Sequence, residues 1–395
     1  MFSKQTSGDK VHNSAAFARG LLCVALVTAQ GCDLSDASAD SRPAMKQIWS
    51  ATFAGGEGEE GRWTGIPVVT KGMVIVGIRN GMAAFDTATG RQVWRASLWS
   101  NGNHAFGFIA ERDGRACMED WPAIGCVDAQ TGKVLWSKAL ATSSGNTETA
   151  IDDAAWYAGT DSHMVYALDP ATGAQKWSTD VSPGARYSSR VFGLTLSGDT
   201  LYATTVREPT ATALPKVGDL VALDRATGRI LFTYSTSGSD GGIQGAATIS
   251  GPLAIMNDTY TPGLVAVDRF TQRQEWRTPV AESGYINSET RPVLVGDTLF
   301  AASSDTQVYS VNAKTGAIQW KATGVKHGSL GSIAVCKSLL VAVEFGGGNI
   351  IAVDRASHAS QIVPEIPRDI RSRVGVDGDV AYAELTNGVA AYRCR

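Results

Sequence analysis

The sequence predicts an all-β protein, an eight-bladed β-propeller of four-stranded antiparallel blades, and three observations predict it. Between Asp86 and Ile362 one short motif recurs seven times: a small residue two places before an Asp, a Thr-Gly turn, and an aromatic four residues after the Gly. Successive Asp-position residues lie 42, 41, 55, 44, 44 and 42 apart, the period of one four-stranded blade per repeat. One unmatched strand pattern at the start of the repeats and three at the end complete each other.

Three copies of the motif are complete: Asp86/Thr89/Gly90/Trp94, Asp128/Thr131/Gly132/Trp136 and Asp169/Thr172/Gly173/Trp177. The others depart from it in part. Asp224/Thr227/Gly228 ends on Phe232, Asp268/Thr271/Gln272 on Trp276, Asn312/Thr315/Gly316 on Trp320, and Asp354/Ser357/His358 on Ile362. Each copy reads as a hairpin specified by its own turn. The Asp carboxylate accepts from backbone N–H groups two or three residues on, and the Gly supplies a positive φ. Apolar runs such as Met82–Phe85 and Val165–Leu168 precede the turn, and Gln92-Val93-Trp94 or Gln175-Lys176-Trp177 follows it, with the alternation of half-buried strands.

A Trp on the outermost strand is too large to bury within one blade, so its ring is expected over the small Gly and Ala backbone of the next. One Trp per repeat marks framework, as does the repeated Asp, since no copy brings a His or second acid at a fixed offset. No catalytic residue and no metal ligand is nominated.

Upstream, Gln47-Ile48-Trp49-Ser50 reads as an outer strand with no inner strands before it. At the other end, Ser372–Val376, Val380–Leu385 and Gly388–Cys394 read as three strands without an outer one. Pairing the two fragments makes an eighth blade and closes the circle, leaving only short edges. Residues 47–395 then divide into blades of roughly 44 residues.

Lys4, Lys10 and Arg19 precede Leu21–Val27, an apolar run too short to span a bilayer, so residues 1–31 read as a secretory signal segment. Ala29-Gln30-Gly31-Cys32 resembles a bacterial lipoprotein processing site, although Gln30 departs from the usual small residue there. Cys32 is the expected lipidated residue, and residues 32–46, rich in Asp, Ser and Ala, a flexible tether. Removing residues 1–31 takes away Lys4, Lys10, Arg19 and Asp9 and moves the formal charge from −3 to −5. A mildly acidic exported chain is a poor nucleic-acid binder.

Cys117, Cys126, Cys336 and Cys394 remain, an even number in an oxidising compartment. Cys117 and Cys126 flank a hairpin in the second blade and can pair across adjacent strands. Cys336, near the first turn of the seventh blade, and Cys394, ending the third strand of the eighth, fall on one face, where a bridge would pin the closure.

With the pattern laid out, the small-x-Asp-x-x-Thr-Gly-x-x-x-Trp motif resembles the docking repeat of the pyrroloquinoline-quinone-like β-propeller family over residues 47–395. That family contains quinoprotein dehydrogenases, sensor propellers, and lipoproteins of the BamB type that help insert outer-membrane β-barrels. The signal segment, lipidation-like Cys32, short tether and single propeller are most similar to the BamB type. The resemblance implies a non-enzymatic, monomeric scaffold without cofactor, exported and lipid-anchored, docking an envelope protein such as an outer-membrane assembly component. Asp33, after the expected lipidated Cys, implies retention at the inner membrane in enteric bacteria. The alternative it leaves open is a PQQ- and calcium-dependent dehydrogenase, or a small-ligand sensor, using the channel mouth. Against a dehydrogenase, the sequence has no Cys-Cys pair.

Function is expected where the motif stops repeating, on the face that carries the connections between blades and the second hairpin turns. The longest departure is the hairpin Arg207–Asp219, which includes Lys216. Candidate docking residues in or beside the connections are Trp63, Trp99, His104, Arg186, Tyr187, Arg190, Tyr285, Arg291, Lys326, His327, Arg368, Arg371 and Arg373. If these face the channel, its mouth is aromatic and basic, suited to an acidic peptide or a quinone-like anion. The plainer expectation is solvated loop charge, since Glu57, Glu59, Glu60, Glu148, Glu282, Glu289 and Glu365 share these loops.

Overall fold

In the computed structural model, residues 44–53, 65–99, 108–120, 123–140, 147–182, 187–209, 216–236, 242–258, 263–280, 291–323, 329–345, 348–363, 370–385 and 387–395 are described. The expected signal segment and Cys32 lie outside them. No helix among the described residues is long and apolar enough to cross a membrane.

The described strands form eight four-stranded antiparallel sheets. Seven take four consecutive strands each, from Val68–Thr70 through Gln92–Ser97 in the first blade to Ser329–Cys336 through Ser360–Ile362 in the seventh. In each, the first strand is innermost: the first strands of neighbouring blades adjoin all the way round, including the eighth with the first. The chain is an eight-bladed propeller.

The eighth blade closes the ring as expected. Met45–Thr52 pairs antiparallel with Gly388–Cys394, which continues through Val380–Leu385 to Ile370–Asp377. The outer strand begins at Met45, inside the expected tether, because the Met45 side chain is 1 % exposed in a core cluster with Cys336, Tyr392 and Cys394. Both expected disulfides are present. Cys117–Cys126 joins directly opposed residues of the second blade, and Cys336–Cys394 joins the seventh blade to the eighth with Cα atoms 6.0 Å apart.

The repeated motif acts between blades. Asp128 Oδ1 accepts from the Gln130 and Thr131 N–H groups and from Thr131 Oγ1, at 3.1, 2.8 and 2.7 Å, and Gly132 takes φ 71°. Trp94 of the preceding blade donates its indole N–H to the Ala129 carbonyl (3.1 Å) and lays its ring over Gly132, where a Cβ would meet ring carbons at 2.7 Å. The same lock joins Trp49 to Gly90, Trp136 to Gly173, Trp177 to Gly228 and Trp276 to Gly316. Successive apolar clusters between blades make up the core, so burial is spread around the ring.

The junction of blades four and five lacks this lock, because Phe232 stands for the Trp and Gln272 (φ 61°) for the Gly. Arg269 from the fifth-blade turn reaches back instead, donating to Ser197 Oγ (3.1 Å) and Tyr202 Oη (3.2 Å) and to the Gly251 carbonyl. Its guanidinium lies 5.5 Å from the Tyr202 ring and 5.3 Å from that of Phe270, whose side chain is otherwise exposed.

Candidate partner-docking face

The strand order puts two kinds of segment on one face, here the upper: the connections entering each blade's first strand, and the turns between second and third strands. The Asp-Thr-Gly turns occupy the other face. Because that turn chemistry is repeated, the lower face is regular; the upper is where blades differ.

The two longest described strands, Tyr187–Ser197 and Thr200–Pro209, belong to the fourth blade. Its second and third strands, Thr200–Pro209 and Val217–Asp224, are the long hairpin the 55-residue spacing foretells, with Arg207 opposite Val217. Arg207 grips the buried Asp219 through Nε (2.5 Å) and Nη2 (2.9 Å), and Ser235 Oγ donates to the same carboxylate. Lys216 pairs with Glu208 at 3.3 Å on the surface. In the fifth blade Arg277 on the outer strand holds Asp258 (2.8 Å), which is 1 % exposed and also accepts from Gly242 N–H at 3.1 Å.

Arg291 makes the longest-range of these pairs. It precedes the first strand of the sixth blade, and its Nε (2.7 Å) and Nη2 both donate to Glu148 Oε1. Glu148 lies in the connection entering the third blade. Its backbone adds to the inner edge of the fourth blade, where Val191 N–H also donates to the Thr160 carbonyl (3.0 Å): Glu148 N–H donates to the Phe192 carbonyl (3.0 Å) and Leu194 N–H to the Glu148 carbonyl (2.8 Å). The Glu148 side chain is 8 % exposed and the Arg291 side chain 41 %.

These contacts answer the two expectations for the candidate residues. Arg207, Lys216 and Arg291 are on the upper side, but each is bound to a carboxylate, so they do not form a free basic patch. Arg190 is exposed, with Asp161 3.9 Å away; burial pushes the Asp161 carboxyl above its ordinary value, partly offset by Arg190. Trp99 is half-buried against the first- and second-blade core cluster. Tyr187 and Arg371 are placed on their strands by backbone alone. Trp63, His104, Arg186, Tyr285, His327 and Arg368 lie outside the described residues.

Sequence reading missed Asp219 and Asp258 as partners, since each sits in an apolar strand whose pattern marks core. Strand period could have flagged them: a carboxylate on a buried face needs a cation within reach.

A profile of the family described as "Outer membrane protein assembly factor BamB" matches residues 36–190 and 120–362. The chain belongs to the BamB family. The outer membrane protein assembly factor BamB of Moranella endobia (strain PCIT) is 22 % identical over 371 residues, covering 87 % of this chain and 88 % of the relative. The crystal structure of BamB from Moraxella catarrhalis superposes with a TM-score of 0.66 at 18 % identity, over 88 % of this chain and 97 % of that one. The quinohemoprotein alcohol dehydrogenase ADHIIG from Pseudomonas putida HK5 reaches the same TM-score at 12 % identity, over 89 % of this chain and 76 % of its own. Equal scores for BamB and a dehydrogenase mean that the fold is common to both and does not choose between them.

The donor set bears on the quinone that the fold family implies. Among the described residues no three His, Cys, Asp or Glu side chains gather as metal ligands. Neither described disulfide joins neighbouring cysteines, and Arg291, a cation that could face a carboxylated quinone, is engaged by Glu148. The described residues of this BamB-family chain do not fit that group, and no reaction step is derived through it.

Proposed function

We propose that the chain is a non-enzymatic scaffold at the bacterial cell envelope, tethered through a lipid on Cys32, whose upper face docks a protein partner of outer-membrane β-barrel assembly. The observation that carries this reading is the asymmetry of the two faces. The Asp-Thr-Gly turns repeat on the lower side, whereas the upper carries the extended fourth-blade hairpin and connections whose sequences follow no repeat. Membership of the BamB family supports the assembly role, and the apolar run before Cys32 supports export.

The upper face suits a polar, shape-specific interface. Its arginines are held by carboxylates with fixed geometry, so the face presents ordered polar groups rather than mobile charge. Crosslinking intact cells and purifying the protein from their membranes tests the proposal: recovery of one envelope assembly protein is expected. Repeated recovery of none contradicts the docking role. Mass analysis of the purified protein tests the anchor, and an unmodified Cys32 or a retained signal segment overturns it.

A further inference from the structure

Glu148 and Arg291 are 143 residues apart in sequence, and their contact joins parts of the ring that the motif leaves independent. Each blade packs on its immediate neighbours, but this pair ties the connection entering the third blade to the connection entering the sixth. Both ends are anchored. Thr147 Oγ1 donates to the Val191 carbonyl (2.8 Å) and Thr147 N–H to Glu119 Oε1 (3.0 Å), so the chain before Glu148 is fixed to the inner strand of blade four and the second strand of blade two. Beside Arg291, the Pro292 carbonyl accepts from Thr248 Oγ1 (2.5 Å) on the inner strand of blade five.

We propose that the Glu148–Arg291 pair is a strut along the inner rim of the upper face that holds the connections entering blades three and six in the arrangement the partner meets. Arg291 is a positioning residue in this account, which rests on the docking role proposed above. Among the described residues Glu148 Oε2 has no hydrogen-bond partner, so compensation of this buried carboxylate falls on Arg291. Without the guanidinium an uncompensated buried charge remains, and the local way to relieve it is to peel Glu148 off the edge of blade four into water. That movement breaks the two backbone bonds with Phe192 and Leu194 and frees the connection. A neutral residue at 291 therefore loosens the rim without touching the blade-to-blade Trp locks on the other face.

Amide hydrogen exchange on the exported full-length chain, compared for wild type, Arg291→Gln and Arg291→Lys, tests the strut. In Arg291→Gln the amides of Glu148 and Leu194 are expected to exchange at least about tenfold faster, as local opening becomes easier. Arg291→Lys, which keeps the charge, is expected to restore most of the protection. The Gly132 and Gly173 turn amides report whether the ring is intact and should be unchanged. Crosslinking yield to the envelope partner, measured for the same variants in cells, is expected to fall several-fold in Arg291→Gln and recover in Arg291→Lys. Unchanged exchange at Glu148 and Leu194 overturns the strut. Faster exchange with undiminished crosslinking overturns its role in docking. Absence of crosslinking in wild type as well contradicts the docking role itself, and the exchange data then decide the strut alone.

Discussion

Trp320 lies flat on the imidazole of His358, with ring centroids 4.4 Å apart and planes 21° from parallel. At the five other described Trp junctions the indole covers a Gly, so the residue beneath the ring and the ring itself are chosen together. Bare backbone suits a Trp that also donates to a carbonyl; a planar imidazole suits a Trp that stacks. His358 holds the left-handed turn at φ 60°, which costs a non-Gly residue about 1 kcal/mol or more. His358→Ala, which keeps the backbone cost and loses the stack, is expected to destabilise by about 1 kcal/mol in urea titration. His358→Gly, which loses both, should be near neutral.

Arg269 has a more demanding role, at the junction where neither Trp nor Gly is present. Arg269→Ala removes three hydrogen bonds and contact with two rings at once. A loss of about 2–3 kcal/mol is expected by chemical denaturation. Lys314→Ala, which breaks an exposed pair with Asp297 on an equivalent turn, should cost less than about 0.5 kcal/mol.

The ring was legible in the sequence and the upper face was not, for a physical reason. Turn chemistry is local: Asp86, Thr89 and Gly90 are adjacent in the chain, and so is each copy after them. Closure could be inferred because Trp49 and Gly388–Cys394 are complementary fragments of one repeated unit. Arg291 and Glu148 meet only through the curvature of the whole ring, and no period links them. Arg207 could be placed on a long hairpin, but nothing in the sequence marked Asp219, at the other end of that hairpin, as its partner. The connections around Trp63, His104 and Arg368 carry no repeated pattern from which geometry could be drawn.

Acid should unfold the propeller through its turns. Six motif carboxylates, those of Asp86, Asp128, Asp169, Asp224, Asp268 and Asp354, lie below their ordinary value of 3.8. In Asp86, Asp128 and Asp224 the Thr hydroxyl bond leads; in Asp268 and Asp354 a backbone N–H does; in Asp169 burial opposes these bonds and is outweighed. A depressed folded value contributes stability that is present above the unfolded value and lost as pH falls through the folded one. Tm is therefore expected to drop as pH falls below about 4. Asn312 already forms the same turn through its amide oxygen, so replacing the six by Asn should preserve the fold at pH 7 and flatten that decline.

Reduction should act first at the closure. Cys336–Cys394 ties the last strand of the chain to blade seven, whereas Cys117–Cys126 spans nine residues within one blade. Cys336→Ser with Cys394→Ser is expected to cost about 2–4 kcal/mol and to speed hydrogen exchange in Met45–Thr52 and Gly388–Cys394. Removing Cys117–Cys126 should leave those two strands protected.

The central claim, a docking role for the upper face, is tested most directly by placing a photo-crosslinking residue in living cells at Lys216, on the fourth-blade hairpin, or at Lys314, on a lower turn. An adduct with an envelope assembly protein from position 216 and none from 314 is expected. An adduct from 314 alone, or none from either position in a folded, exported protein, would contradict it.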